Sequence, residues 1–302
     1  MGKTLSLDKA HFGHAFLVAM SSPRIMLSAL GCTYTVIKDF FLSQSPLRPK
    51  KIKPPYVWID HELDDRIPFA PEWVNPYFRF IPMWVCGVSW YRLTFGRRTG
   101  GEVAETVRQF RRLYKEAARV YRKCQSTTKR PPAVPGNRAF GVIHKMDPHL
   151  NCLPSLHVMV VTFAAWRLSR IIREAAPDEN LYRREIDALY AEARQITESV
   201  LYVKQHSVNC IPAALFAMRH IQPGFETEFG EGFMNSLFDG TLPVIEGRSD
   251  VSRHLVSLYR EFNAAWETGK YPDFQAVLLE FLGRYLEEPA SLKNNLKNRM
   301  DI

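Results

Sequence analysis

Pro154-Ser155-Leu156-His157-Val158-Met159-Val160-Val161-Thr162-Phe163-Ala164-Ala165-Trp166 opens the run on which the fold turns. It shows no strand alternation, and a proline and a serine stand where helix N-termini favour them. The spacing predicts a long apolar helix from Ser155 to about Glu174. Upstream, Val103, Val107, Phe110, Leu113, Ala117 and Val120 recur near every 3.6 residues, with Arg and Lys on the other face. That pattern predicts an amphipathic helix from Gly101 to about Gln125. The apolar run Tyr77 to Phe95 carries Arg79 and Arg92, which suit a buried core helix better than a membrane span. Downstream, the charged stretch Asp178 to Arg194 precedes a third helix, expected from roughly Ile196 to Arg219. After Gly224 a loop-like segment leads to helices at about Val251 to Trp266 and Asp273 to Leu286. The expectation is an all-α helical bundle in three parts. Residues 1–55 form a helical segment with the basic, proline-bearing connector Pro46 to Pro55, residues 56–222 form the core, and residues 223–302 form an extension packed on it.

The composition bounds the function. The 302 residues are 46 % hydrophobic and 24 % charged, values of a globular chain. Forty Lys and Arg against 31 Asp and Glu give a net charge of +9, which attracts anions. No base-reading motif accompanies that charge, so nucleic acid is set aside. The five cysteines (Cys32, Cys86, Cys124, Cys152 and Cys210) are scattered and form no C-x-x-C pair, which fits a reducing compartment. The early apolar stretch Phe16 to Cys32 is interrupted by Ser21, Ser22, Pro23 and Arg24 and makes a poor signal core. Met1-Gly2 with Ser6 fits the short N-myristoylation pattern.

Three segments point to phosphate chemistry. Lys123 is followed after six residues by Arg130-Pro131, and two such cations can meet on one phosphate. In Asp147-Pro148-His149-Leu150-Asn151-Cys152-Leu153-Pro154-Ser155-Leu156-His157, the start of the apolar helix offers backbone N–H groups and the Ser155 hydroxyl to an anion, with His157 in the first turn. In Ser199-Val200-Leu201-Tyr202-Val203-Lys204-Gln205-His206-Ser207-Val208-Asn209-Cys210, a helical reading puts Ser199, His206, Asn209 and Cys210 on one face. Taken singly, each histidine also suits a structural role.

Together the segments resemble the motifs of the type 2 phosphatidic acid phosphatase and vanadium haloperoxidase superfamily, in the superfamily's order. They are most similar to the inositol-phosphorylceramide synthase-like subgroup, whose upstream Asp-x-x-Ile-Pro-Phe-x-Pro element is matched by Asp64 to Pro71. The resemblance covers residues 60 to 220. It implies that His206 attacks phosphorus and becomes a phosphohistidine, while His157 protonates the leaving oxygen and later activates the acceptor. Lys123, Arg130, Ser155 and the Leu156 N–H would hold the phosphoryl oxygens, with no cofactor or metal.

Two positions depart from the pattern. The third motif's arginine falls at Val200, with Lys204 as a weak substitute. Its aspartate falls at Cys210, a poor replacement, which leaves Asn209 to orient the His206 ring. The lipid-phosphatase relatives span membranes, whereas this chain has a mean hydropathy below zero, so a cytoplasmic protein with peripheral membrane contact is expected. The substrate class is a hydrophobic phosphate, either a lipid phosphate or a prenyl diphosphate. Alternatives on the same fold are a diphosphate-dependent terpene cyclase, an inactive phospholipid-binding module and, disfavoured by the missing arginine, a vanadate-bearing haloperoxidase.

Overall fold

The computed structural model describes residues 7–44, 54–131, 134, 136–147, 149–241 and 243–286. Gly2 and most of the connector between Pro46 and Pro55 lie outside the described residues. The fold is all-α. In chain order the helices are α1 (Phe12–Met20), α2 (Pro23–Thr35), α3 (Val74–Phe78), α4 (Phe80–Phe95), α5 (Gly100–Lys123), α6 (Arg138–Met146), α7 (Leu156–Ala175), α8 (Arg183–Tyr202), α9 (Cys210–Ile221), α10 (Thr227–Asn235), α11 (Arg248–Glu267) and α12 (Phe274–Arg284). A π turn, Val36–Phe41, and a 3-10 turn, Leu42–Gln44, prolong α2. Pro23–Gln44 is long and apolar enough to cross a membrane. That run begins within the Ser21–Arg24 interruption of the first apolar stretch, at Pro23.

Helix α7 is the axis of the molecule. Ser155 caps it, its Oγ accepting from the Val158 N–H at 3.4 Å, and every residue from Leu156 to Ala165 is buried. It packs against α8, α4, α5 and α9. At Gly87 the α4 backbone comes so close that a Cβ would stand 2.6 Å from Leu168 Cδ1. The apolar stripe of α5 is likewise buried from Val103 to Val120. Each fully buried side chain of this size contributes roughly 1.5–3 kcal/mol. The C-terminal helices close one side, α11 against α9 and α12 against α9 and α5.

Four expectations are corrected. The Tyr77–Phe95 run divides at Arg79 into α3 and α4. The charged stretch Asp178 to Arg194 is mostly helix, because α8 starts at Arg183 and buries Ile186, Leu189 and Ala193. The expected Ile196–Arg219 helix stops at Tyr202 and restarts at Cys210, with Val203–Asn209 forming a turn. Finally, a short parallel sheet joins β1 (Tyr56–Trp58) to β2 (Gln125–Thr127). Three-residue strands are too short to show alternation. This sheet positions the centre of the molecule: Ser126 accepts the Cys152 N–H on its carbonyl at 3.1 Å and the Leu153 N–H on its Oγ at 2.8 Å. The entry to α7 is thereby tied to the end of α5.

Candidate active site

The turn between α8 and α9 is shaped by contacts from outside itself. The Val200 carbonyl accepts both the Gln205 and His206 N–H groups, at 3.0 and 3.1 Å. Lys204, in the left-handed region with φ 54°, donates its ammonium to the carbonyls of Asp64 and Ile67. The Asp64 carboxylate accepts the His61 and Val208 N–H groups, each at 2.8 Å. The Asp64–Pro71 segment thus clamps the turn that carries His206.

That turn delivers His206 to the N-terminus of α7. Its Nδ1 is 3.1 Å from the Cys152 carbonyl oxygen. A carbonyl can only accept, so Nδ1 carries the proton and Nε2 keeps its lone pair. Nε2 stands 3.3 Å from Ser155 Oγ and 3.4 Å from His157 Nδ1. His157 is walled by aromatic rings, with centroids 4.5 Å away at Tyr77 and 4.3 Å away at Phe80. Both histidines are buried. Burial lowers the His206 pKa to about 4, partly opposed by the Cys152 carbonyl. Burial, and then the neighbouring His206, holds His157 well below the ordinary histidine range. At neutral pH the pair is uncharged.

Arg130 joins from the loop after β2. Its Nη2 donates to the Asp147 carbonyl at 2.5 Å and to Gln205 Oε1 at 3.4 Å. Its buried Nε has no partner among the described residues. Asp147 accepts the His149 N–H on Oδ1 at 2.9 Å, and burial raises its pKa. His149 Nε2 meets Thr128 Oγ1 at 2.8 Å. Asn151 accepts from Gln125 Nε2 at 3.2 Å and donates to Ser43 Oγ at 3.0 Å. Between these groups lies a cavity of about 10 Å³, bounded by Phe40, Gln44, Asp147, Cys152, His157 and His206. It offers room for about one water and less than a phosphate needs.

No family model, curated protein or solved structure matches the chain.

Of the residues singled out in the sequence, His157, His206, Ser155, Leu156, Arg130, Asp147 and Asn151 lie at or beside this cluster. The others do not serve as expected. Lys123 is exposed at the last position of α5 and makes no hydrogen bond or ion pair with described residues of the site. Lys204 is committed to backbone carbonyls. Ser199 turns its hydroxyl back to the Ile196 carbonyl at 2.6 Å. Asn209 does not orient His206: its amide donates to the Ile59 carbonyl and the Tyr285 hydroxyl, and its oxygen faces His254 Nε2 at 2.9 Å. Cys210 hydrogen-bonds neither histidine, and burial pushes its thiol well above the usual range. The Cys152 carbonyl, the Tyr77 and Phe80 walls and the Gln205 contact have no motif of their own. Among the described residues, no group of three His, Cys, Asp or Glu side chains is arranged to hold a metal ion.

A groove elsewhere is larger, about 860 Å³, and is lined by Trp73, Arg79, Glu192, Glu198 and Asp239. Glu198 there already accepts from the Phe238 N–H at 2.6 Å and from Thr241 at 2.9 Å. It contains none of the histidines, so the small buried cavity is the better candidate for chemistry.

Proposed function

We propose that the protein is a phosphatase or phosphotransferase for a hydrophobic phosphate or diphosphate ester, working through a phosphohistidine on His206. The observation that carries this reading is the orientation of the His206 ring. Nδ1–H is held by the Cys152 carbonyl, and the Nε2 lone pair is left beside Ser155 and His157 at the capped end of α7. In the first step the Nε2 lone pair attacks phosphorus, the bond from phosphorus to the leaving oxygen breaks, and His157 gives that oxygen a proton. In the second, water or an alcohol attacks phosphorus and yields its proton to His157, and the N–P bond breaks.

Both imidazoles are neutral in the empty site, and a bound phosphate supplies the negative charge that raises their pKa. The reaction needs the added proton on His157, while His206 keeps its Nε2 lone pair for the attack. The unpartnered Arg130 Nε, the Ser155 hydroxyl and the N–H groups opening α7 are donors suited to the equatorial oxygens. A phosphate is larger than the buried cavity, so its entry requires part of the lining to move. The likeness of the motifs to those of the phosphatidic acid phosphatase superfamily supports the same assignment, and the mean hydropathy below zero supports a cytoplasmic enzyme in peripheral contact with a membrane. A second reading draws on the Tyr77 and Phe80 rings around His157: a cyclase that binds diphosphate at the same donors and shelters a carbocation between aromatic faces.

The test is product analysis by mass spectrometry over a panel of lipid phosphates and prenyl diphosphates. Free phosphate is expected from the native chain. His206→Ala should keep phosphate binding and lose turnover by about a thousandfold or more. Arg130→Ala should lose both binding and turnover. A cyclised hydrocarbon with diphosphate would select the second reading, and binding without turnover would indicate a lipid-binding module. Unchanged turnover in His206→Ala would remove the phosphohistidine.

A further inference from the structure

Helices α1 and α2 are packed on the body by one face each. On α2 that face is Ile25, Ser28, Cys32 and Thr35, all buried. The opposite face is Leu27, Leu30, Tyr34 and, in the π turn, Ile37 and Phe41, spaced three and four residues apart and 40 to 65 % exposed. On α1, Phe12, Phe16 and Met20 form a similar row, with Leu17 beside it. Ten of the seventeen exposed large hydrophobic residues of the described chain fall between Phe12 and Leu42. The remaining seven are scattered, so the apolar surface is concentrated on this hairpin and needs a partner.

Charge beside the hairpin says which partner. Helix α5, on which α2 lies, carries seven basic residues against three acidic ones. Arg108 reaches Ser28 at 3.4 Å, Arg111 reaches Thr35 at 2.9 Å and Arg122 pairs with Asp39 at 3.2 Å, so the cationic helix and the apolar hairpin are direct neighbours. Arg112 and Lys115 are exposed and have no acidic partner among the described residues. An exposed hydrocarbon face bordered by unneutralised cations fits a bilayer with anionic headgroups, the apolar rows entering the acyl layer and the cations staying at its surface. Under the hairpin, a recess of about 400 Å³ lined by Val18, Ile25, Phe41, Trp84 and Val107 offers a hydrocarbon environment for a lipid chain.

We infer that the α1–α2 hairpin is a monotopic anchor that seats the protein on an anionic lipid surface, with α5 as its electrostatic border. A transmembrane role for α2 is less suited to these contacts, because one face of the helix is occupied by the polar side chains of α5. The inference specifies the membrane association proposed above and stands apart from the phosphoryl chemistry. It is read without turnover, so either can fail alone.

The test is flotation of the full chain with vesicles of phosphatidylcholine, and of equimolar phosphatidylcholine and phosphatidylglycerol. Binding is expected to the mixed vesicles and to weaken with salt. The exposed-site variant Phe16→Gln, Leu27→Gln, Leu30→Gln, with folding checked by circular dichroism, should bind about a hundredfold more weakly. Arg112→Gln with Lys115→Gln should weaken binding to the mixed vesicles about tenfold and leave phosphatidylcholine binding unchanged. Three results would overturn the inference. The native chain stays with neither vesicle, the glutamine variant floats as the native chain does, or the bound chain resists an alkaline carbonate wash as a spanning helix would.

Discussion

Lowering the pH from neutral to about 4 should destabilise the fold, and a definite share of that loss should trace to His206. In the folded chain burial holds this histidine at about 4, against a reference near 6.5. Between those values the unfolded chain binds a proton that the folded chain refuses, so stability falls as the pH falls through this window and is fully present above it. The gap is about 2.5 units at about 1.4 kcal/mol each, or roughly 3 kcal/mol at its acid end. Measuring urea unfolding across the window for the native chain and His206→Gln isolates that share, because the other buried histidines remain in both. The native curve should be steeper by about one proton's slope, and added phosphate should flatten it, since a bound anion favours the charged ring. Parallel pH dependences in the two proteins would mean that His206 is not buried neutral, and the fixed lone pair on Nε2 would fall with it.

Two further outcomes bear on the clamp and on the cations. Asp64→Ala removes the acceptor of the His61 and Val208 N–H groups and should cost about 2–4 kcal/mol in unfolding free energy, with a drop in kcat larger than any change in KM; an unchanged melting profile would show the clamp to be idle. Lys123→Ala should leave kcat/KM within about twofold of native while Arg130→Ala does not; a loss beyond about tenfold in Lys123→Ala would place that lysine at the phosphate after all.

The helices α5 and α7 could be read from the sequence because what determines them is local: a stripe of apolar side chains, a serine cap and a clean run between breakers. The turn at Val203–Asn209 could not, because what stops α8 lies far away in the chain, at the Asp64 carboxylate and the Asp64 and Ile67 carbonyls. One local cue was present. Pro212 falls within the expected helix, and a proline suits the first turn of a new helix far better than the middle of an old one. The histidine pair was legible through its motifs, and the pairing of Nε2 with His157 follows their expected convergence. The group that orients His206 was not. A side-chain amide at Asn209 was the natural guess for a missing carboxylate, but that amide is engaged by Ile59, Tyr285 and His254, the last two from the end of α12 and from α11, which have no sequence link to the motif. A backbone carbonyl leaves no mark in a list of residue types.

That carbonyl changes what mutation can do to the centre. A carboxylate that fixes a ring is lost by one substitution, whereas the oxygen of residue 152 belongs to the main chain and persists whatever side chain stands there. The tautomer of His206 is therefore inherited from the path of the backbone, and it is lost only when that path is. Because the acceptor is neutral, it raises the basicity of the ring by less than burial lowers it, so the ring is aimed and still left weakly basic. Aim and reactivity, which a single aspartate would supply together, are here separable properties, and changes at position 152 can alter the volume and polarity around the ring while leaving its direction intact.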